Sequence, residues 1–191
     1  MEKRIIEFGE LNDLQKLQTV ELFLNGFGRF MTFSKNEDKK KALFLEIFDP
    51  KLFLCYLEEN KVLGLIGLGN NKVRPINFKK EICQKHFGKF KGAIISKQMN
   101  GIFQKPAVKL DSELYIDTIV VDINHRKKGI GTILLNKAST YGDYNTIVLE
   151  VFSKNQTAIN FYKSNGFTIR KEKRMSLMSI FGSGHPIVMA K

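Results

Sequence analysis

Two short segments hold the residues whose types and spacing could do chemistry. The first is Arg126-Lys127-Lys128-Gly129-Ile130-Gly131-Thr132, set between a strong strand pattern and a strong helix pattern. Glycines at such a junction allow a tight turn and bring backbone N–H groups close to a ligand. The helix behind adds unpaired first-turn N–H groups and the positive end of its dipole, which makes an anion site. Arg126 and the two lysines add mobile positive charge. Helix-opening glycines are common, so this pair alone decides nothing. The second segment runs from Asn155 through Ala158, Phe161 and Tyr162 to Gly166-Phe167, at the next strand-to-helix junction. Asn155 is a natural helix cap, and Ala158 permits close approach. Tyr162 lies two turns along the Asn155 face. Its ordinary reading is core; its functional one puts the hydroxyl toward the C-terminal ends of parallel strands, where open sheets bind ligands.

The elements that must position these segments follow from periodicity. Residues 4–8 read as a first strand. Leu14, Leu17, Val20, Leu24 and Phe27 recur at spacings of three and four, which predicts a helix face. A second helix is expected over about 37–48, ended by Asp49-Pro50. Residues 52–58 and 62–68 read as a hairpin turning at Glu59-Asn60-Lys61, with Asn60 in the left-handed position. Residues 71–112 read as a basic, mobile-looking insertion with helices near 79–90 and 92–103. A strand is expected over 114–121 and a helix over 131–141 with Ile130, Ile133, Leu134, Ala138 and Tyr141 on one face. A strand over 146–152, a helix over 155–164 and strands over 167–174 and 186–190 complete the order. With no repeat and no linker, 191 residues read as a single domain able to bury a sizeable core.

Composition excludes more than it assigns. The net charge of +12 favours anionic ligands, but Lys heavily outnumbers Arg, the residue on which base readers and phosphate clamps usually lean. The N-terminus lacks the apolar run of a signal peptide, and the longest nearly apolar stretch, 62–69, is too short to span a bilayer. A cytoplasmic protein is the expectation, without membrane or nucleic-acid partners. Cys55 and Cys83 show no metal-ligand spacing, and Cys55 reads as core filler. The three histidines are scattered, so no metal is expected.

Together, in this order and spacing, the two segments resemble the general-control-related N-acetyltransferase (GNAT) superfamily. The first matches its Arg/Gln-x-x-Gly-x-Gly/Ala pyrophosphate loop, the second its Asn-x-x-Ala-x-x-Phe-Tyr-x-x-x-Gly-Phe signature. Residues 113–172 carry the resemblance as a cofactor-binding core, with an acceptor side over 1–70 and a variable insertion over 71–112. The resemblance implies an α/β (α+β) three-layer fold. Its central sheet is mixed but mostly antiparallel, with a V-shaped splay between the fourth and fifth strands and helices on both faces. It implies acetyl-coenzyme A as acyl donor, an amine as acceptor, and direct attack in a ternary complex. Carried over, Ile119, Val120 and Val121 would pair with the pantetheine arm, and the Val121 N–H would polarise the carbonyl. The amides from Arg126 to Thr132 (Arg126, Lys127, Lys128, Gly129, Ile130, Gly131, Thr132) would cradle the pyrophosphate. Asn155 would bond the arm, and Phe161 would flank the nucleotide end. Tyr162 matches the proton donor to sulfur, and Asp117 a position where some members place a carboxylate that acts directly or through water.

Asp117 has two readings on its own terms. Strand alternation sets it beside Tyr115, Ile119 and Val121, where a carboxylate is costly unless it serves something; alternatively it is a strand Asp salt-bridged to a lysine. Glu113 is a weaker rival, and His125 has no assigned role. Phe27, Arg29, Phe30, Phe33, Tyr115 and the insertion are the residues expected to recognise a small-molecule or peptide amine. The basic insertion favours an acceptor that also bears a carboxylate or phosphate. The assembly is expected to be a monomer or homodimer. A non-catalytic acetyl-coenzyme A sensor and a basic nucleic-acid binder are the rival classes. The sensor would lack the acid, and Tyr162 is present.

Overall fold

The computed structural model describes residues 2–174 and 183–191. The predicted last strand lies within these residues, whereas residues 175–182 of the preceding loop lie outside them. Seven strands form one sheet: β1 (Lys3–Glu7), β2 (Phe53–Glu58), β3 (Lys61–Gly69), β4 (Glu113–Val121), β5 (Thr146–Phe152), β6 (Thr168–Glu172) and β7 (Pro186–Ala190). Their order is β1-β2-β3-β4-β5-β7-β6, antiparallel everywhere except between β4 and β5. Among the described residues the α-helices are α1 (Asp13–Phe27), α2 (Glu37–Ile47), α3 (Lys80–Phe87), α4 (Lys89–Phe103), α5 (Ile130–Ala138) and α6 (Gln156–Ser164).

Hydrophobic patterning sorts the helices onto two faces. Phe23, Leu43, Phe44, Phe53, Leu65, Phe78 and Val120 belong to one cluster, which joins α1 to α4 to the sheet. Leu54, Ile66, Ile116, Ile130, Leu134, Ile159 and Tyr162 form the cluster beneath α5 and α6. Phe23, Phe44, Phe53 and Phe78 are almost fully enclosed; each contributes about 1.5–3 kcal/mol relative to exposure. The hairpin turn has left-handed residues at both Glu59 and Asn60, the two-residue geometry that matches strand twist.

Three expectations are corrected. The first helix does not present Leu14 inward: it is 65% exposed, whereas Gln15 and Thr19 are buried. Ile133, expected on the inner face of α5, is 38% exposed. The insertion is not a loose excursion, because Ile76, Phe78, Cys83, Ile95 and Met99 complete the first cluster. Ser96 and Asn100 on α4 bond the Phe78 carbonyl and tie the two parts of the segment together.

The parallel pairing of β4 with β5 covers Glu113↔Thr146 to Ile116↔Leu149. Both strands continue beyond that point, so their far ends diverge and the sheet opens in a V.

Candidate active site

β4 carries the first half of the site, and its register holds a feature the sequence does not display. Gly67 pairs with Thr118 and Leu68 with Ile116, which leaves Asp117 as the extra residue of a bulge. An extra residue flips the inward-outward alternation beyond it. Leu114 and Ile116 therefore share the α5–α6 cluster with Ile119 and Val121, while Tyr115, Asp117 and Thr118 face a cavity on the other side. The expected common face for Asp117, Ile119 and Val121 is thus broken at the bulge.

Beyond Ile116 the edge of β4 toward β5 carries no strand partner. The Asp122 N–H donates to the Leu63 carbonyl at 2.9 Å. By the two-residue alternation of an antiparallel ladder, Val120 is then the residue bonded to β3. The polar groups of Ile119 and Val121 point to the open edge instead, and the Val121 carbonyl accepts from Arg126 Nε. Of the three residues expected to meet the pantetheine arm, Ile119 and Val121 turn their backbone polar groups to that open edge, and Val120 turns its own to β3.

The anion loop follows directly. Lys127 and Gly129 are left-handed, at φ 60° and 82°, and the lysine stores strain there that a glycine does not. Ile133 is the first amide of α5 to bond within the helix, to the Gly129 carbonyl. The amides of Ile130, Gly131 and Thr132 precede that turn and have no intrahelical acceptor. A Cβ on Gly129 would meet nothing within 4 Å, so the loop faces open space. At Gly131 a Cβ would lie 2.8 Å from Phe161 Cζ. That contact joins the two motif segments, since α6 seats its aromatic ring against the first turn of α5. A diphosphate fits such a cradle of free amides with Arg126, Lys127 and Lys128 around it.

On α6, Asn155 Oδ1 accepts from the Ala158 N–H at 3.2 Å. The cap is worth about 1 kcal/mol and leaves Nδ2 to donate outward. Tyr162 is 7% exposed, beside Phe161 and Phe167 at ring distances of 5.3 and 5.8 Å. Its phenol makes no hydrogen bond among the described residues, and burial pushes its pKa up.

The cavity lies where β4 and β5 part. It holds about 490 Å³ between Tyr115, Asp117 and Thr118 of β4, Glu150 to Phe152 of β5, aromatic residues of α1 and the following turn, and the end of α4. Of the residues proposed from the sequence for the acceptor side, Phe27, Phe30 and Tyr115 line this cavity. Arg29 and Phe33 are not among its lining residues: Arg29 stacks on the Phe30 ring, and Phe33 packs against Phe78 and Phe87.

Asp117 is bound to Arg74 Nε at 2.6 Å, with side chains only 6% and 9% exposed. The cation is thus an arginine from the insertion rather than the lysine anticipated. Burial raises the pKa of Asp117; Arg74 opposes that shift without cancelling it, and Glu150 adds to it. Burial pulls Arg74 down, but Asp117 more than offsets it, so the guanidinium stays charged. Tyr115, under that guanidinium, is raised well above the ordinary tyrosine range by burial, with Glu150, Asp117 and Tyr162 contributing.

Glu150, Lys173 and Arg174 were missed by sequence reasoning, and Arg74 and Lys105 were covered only as part of the insertion. Glu150 stands one residue past the last β4–β5 pair and binds Lys173. A polar residue inside the apolar run of β5 was the available signal. Glu113 is structural: it holds Arg170 and accepts the Lys109 and Leu110 amides. His125 Nδ1 lies 2.6 Å from Asp122. Cys55 is enclosed, and burial pushes its thiol up to about 12; Cys83 is likewise pushed up to about 11.

A splayed mixed sheet with an amide cradle at the end of its fourth strand defines an acyltransferase architecture. Residues 17–167 match the model of the acetyltransferase (GNAT) family, and the chain belongs to that family. Over 64 residues it is 39% identical to N-alpha-acetyltransferase 30 of Xenopus laevis, covering 32% of this chain and 23% of that protein. The chain therefore spans under a quarter of the curated relative it matches. Its fold resembles an N-acetyltransferase from Staphylococcus aureus Mu50, with a TM-score of 0.65, 16% identity and coverage of 98% and 100% of the two chains. It also resembles Arabidopsis thaliana Naa50 in complex with the bisubstrate analogue CoA-Ac-MVNAL, with a TM-score of 0.55, 17% identity and coverage of 100% and 99%.

Proposed function

We propose that the chain is an N-acetyltransferase that moves an acetyl group from acetyl-coenzyme A to an amine. One observation carries this reading: the open edge of β4 runs from the amide cradle at one end to a cavity lined by both splayed strands. When bound, the donor supplies the acetyl group activated as a thioester. The amides of Ile130 to Thr132 with Arg126, Lys127 and Lys128 hold its diphosphate, and Ile119, Val121 and Asn155 hold its amide arm.

The remaining chemistry is proton movement. An alkylammonium of pKa about 10.4 is only about 0.1% neutral at pH 7, a deficit of roughly 4 kcal/mol. Asp117 and Glu150, the two carboxylates lining the cavity, receive that proton directly or through water. Asp117's raised pKa brings it closer to the working pH and makes it a stronger base than an ordinary carboxylate. Tyr162 remains protonated at neutral pH because burial disfavours its phenolate, so it holds a proton for the departing sulfur.

The test is thiol release from acetyl-coenzyme A against a panel of amines, amino acids and peptides. Acceptor-dependent release is expected. Tight acetyl-coenzyme A binding with no release for any amine would leave a sensor and sink the enzyme.

A further inference from the structure

We propose, building on the acetyltransferase reading, that the acceptor carries an anionic group besides its amine, a carboxylate or a phosphate held by Lys105 and Arg174. The argument is a charge balance around the cavity. Its lining includes four cations, Arg74, Lys105, Lys173 and Arg174, and two anions, Asp117 and Glu150. Each anion already has its own cation: Asp117 is bound by Arg74 and Glu150 by Lys173. The side chains of Lys105 and Arg174 have no anionic partner among the described residues. Both are exposed, so they stand at the mouth.

The cavity thus presents two uncompensated positive charges to whatever enters. A simple alkylammonium or a diamine is repelled there, whereas an amine with its own anion is attracted and oriented, amine inward and anion at the mouth. The surroundings strengthen the field. Residues 71–112 hold ten basic and two acidic residues, and this segment supplies Arg74, the end of α4 and Lys105 to the lining. A cleft of one sign with low-dielectric walls concentrates ligands of the other. The walls are apolar, with Phe23, Phe27, Phe30 and Ile102 on the α1 and α4 sides, so an apolar body between amine and anion fits.

The experiment compares acceptors built on one amine. A straight-chain alkylamine, the matching ω-amino carboxylate, the matching aminoalkyl phosphate and the matching diamine are assayed by thiol release. A pair of hexapeptides with an apolar first residue, followed by Asp-Glu or by Asn-Gln, separates a peptide source from a small molecule. In each pair the anionic member is expected to have a kcat/KM at least about tenfold higher at low salt. The Lys105→Glu/Arg174→Glu variant should raise KM for the anionic member about tenfold or more, lower KM for the simple alkylamine, and leave the kcat of both unchanged. Unaltered acetyl-coenzyme A binding shows that the variant is folded. Equal or better turnover of the neutral amine or diamine overturns this inference and leaves the enzyme standing, as does a preference that survives the variant. Absence of turnover with every amine refutes both readings.

Discussion

Asp117 and Arg74 form the most consequential pair at the scale of single residues. Both are enclosed and 2.6 Å apart, so removing one strands the other in a poor solvent. Arg74→Met should destabilise the fold by roughly 3–5 kcal/mol, whereas Arg74→Met with Asp117→Val should recover most of the loss. Thermal denaturation of both variants checks this, and an undiminished deficit in the double variant would show that the pair is not what was lost. The sign of the pH dependence follows. Burial raises Asp117 and Arg74 holds it down, so losing Arg74 raises its pKa further. The native single variant then binds a proton that its unfolded chain has released, and its stability falls as pH rises through that window. Its deficit against the parent should be larger at pH 8 than at pH 5. Tyr162→Phe probes the other half of the site. It removes one oxygen from a packed ring, so coenzyme A affinity should hold while kcat falls about 10²-fold or more. Turnover at the parent level would make Tyr162 a core residue only.

At the scale of elements, the contact of Gly131 with Phe161 sets how closely α5 and α6 approach. Gly131→Val puts a branched side chain where a Cβ alone would lie 2.8 Å from the ring. Coenzyme A affinity should drop at least tenfold, and Phe161→Ala in the same chain should restore a good part of it. A calorimetric double-mutant cycle measures that coupling; additive losses would mean that the helices do not meet there. The two motifs were legible in the sequence because each is a local arrangement: a turn, a cap and a first helical turn. The bulge at Asp117 was not, because register belongs to two strands at once, and β3 and β4 are separated by the whole insertion. Arg74 escaped for a related reason, 43 residues from its partner. The face of α1 was misread because Gln15 and Thr19 look like surface residues. They are buried with their polar atoms satisfied, Thr19 on the Gln15 carbonyl and Gln15 Nε2 on the Asn60 carbonyl.

Charge acts on the molecule as a whole. The chain carries +12, and ten of its basic residues fall within 71–112, on and around α3 and α4. Such a concentration opposes compaction at close range, and the fold answers it with a few carboxylates. Glu46 holds Lys85 and His86 and Asp111 holds Lys72 and Asn71; outside that segment, Asp122 holds His125. Hydrogen bonds from Lys85, Asn71 and His125 respectively are the largest cause of the lowered pKa of each. A carboxyl group depressed in the native state contributes stability above its unfolded value of about 4, and that contribution is lost as pH falls through the native value. Acid therefore removes these attachments while the net positive charge grows, and the α3–α4 side should loosen before the rest of the sheet. Salt screens repulsion between exposed like charges over about 10 Å at 0.1 M. Raising sodium chloride from 50 to 500 mM at pH 4 should slow amide hydrogen exchange in α3 and α4 more than in β2 and β3. Equal slowing in all four elements would show that the charge is spread too widely for the insertion to be its weak point.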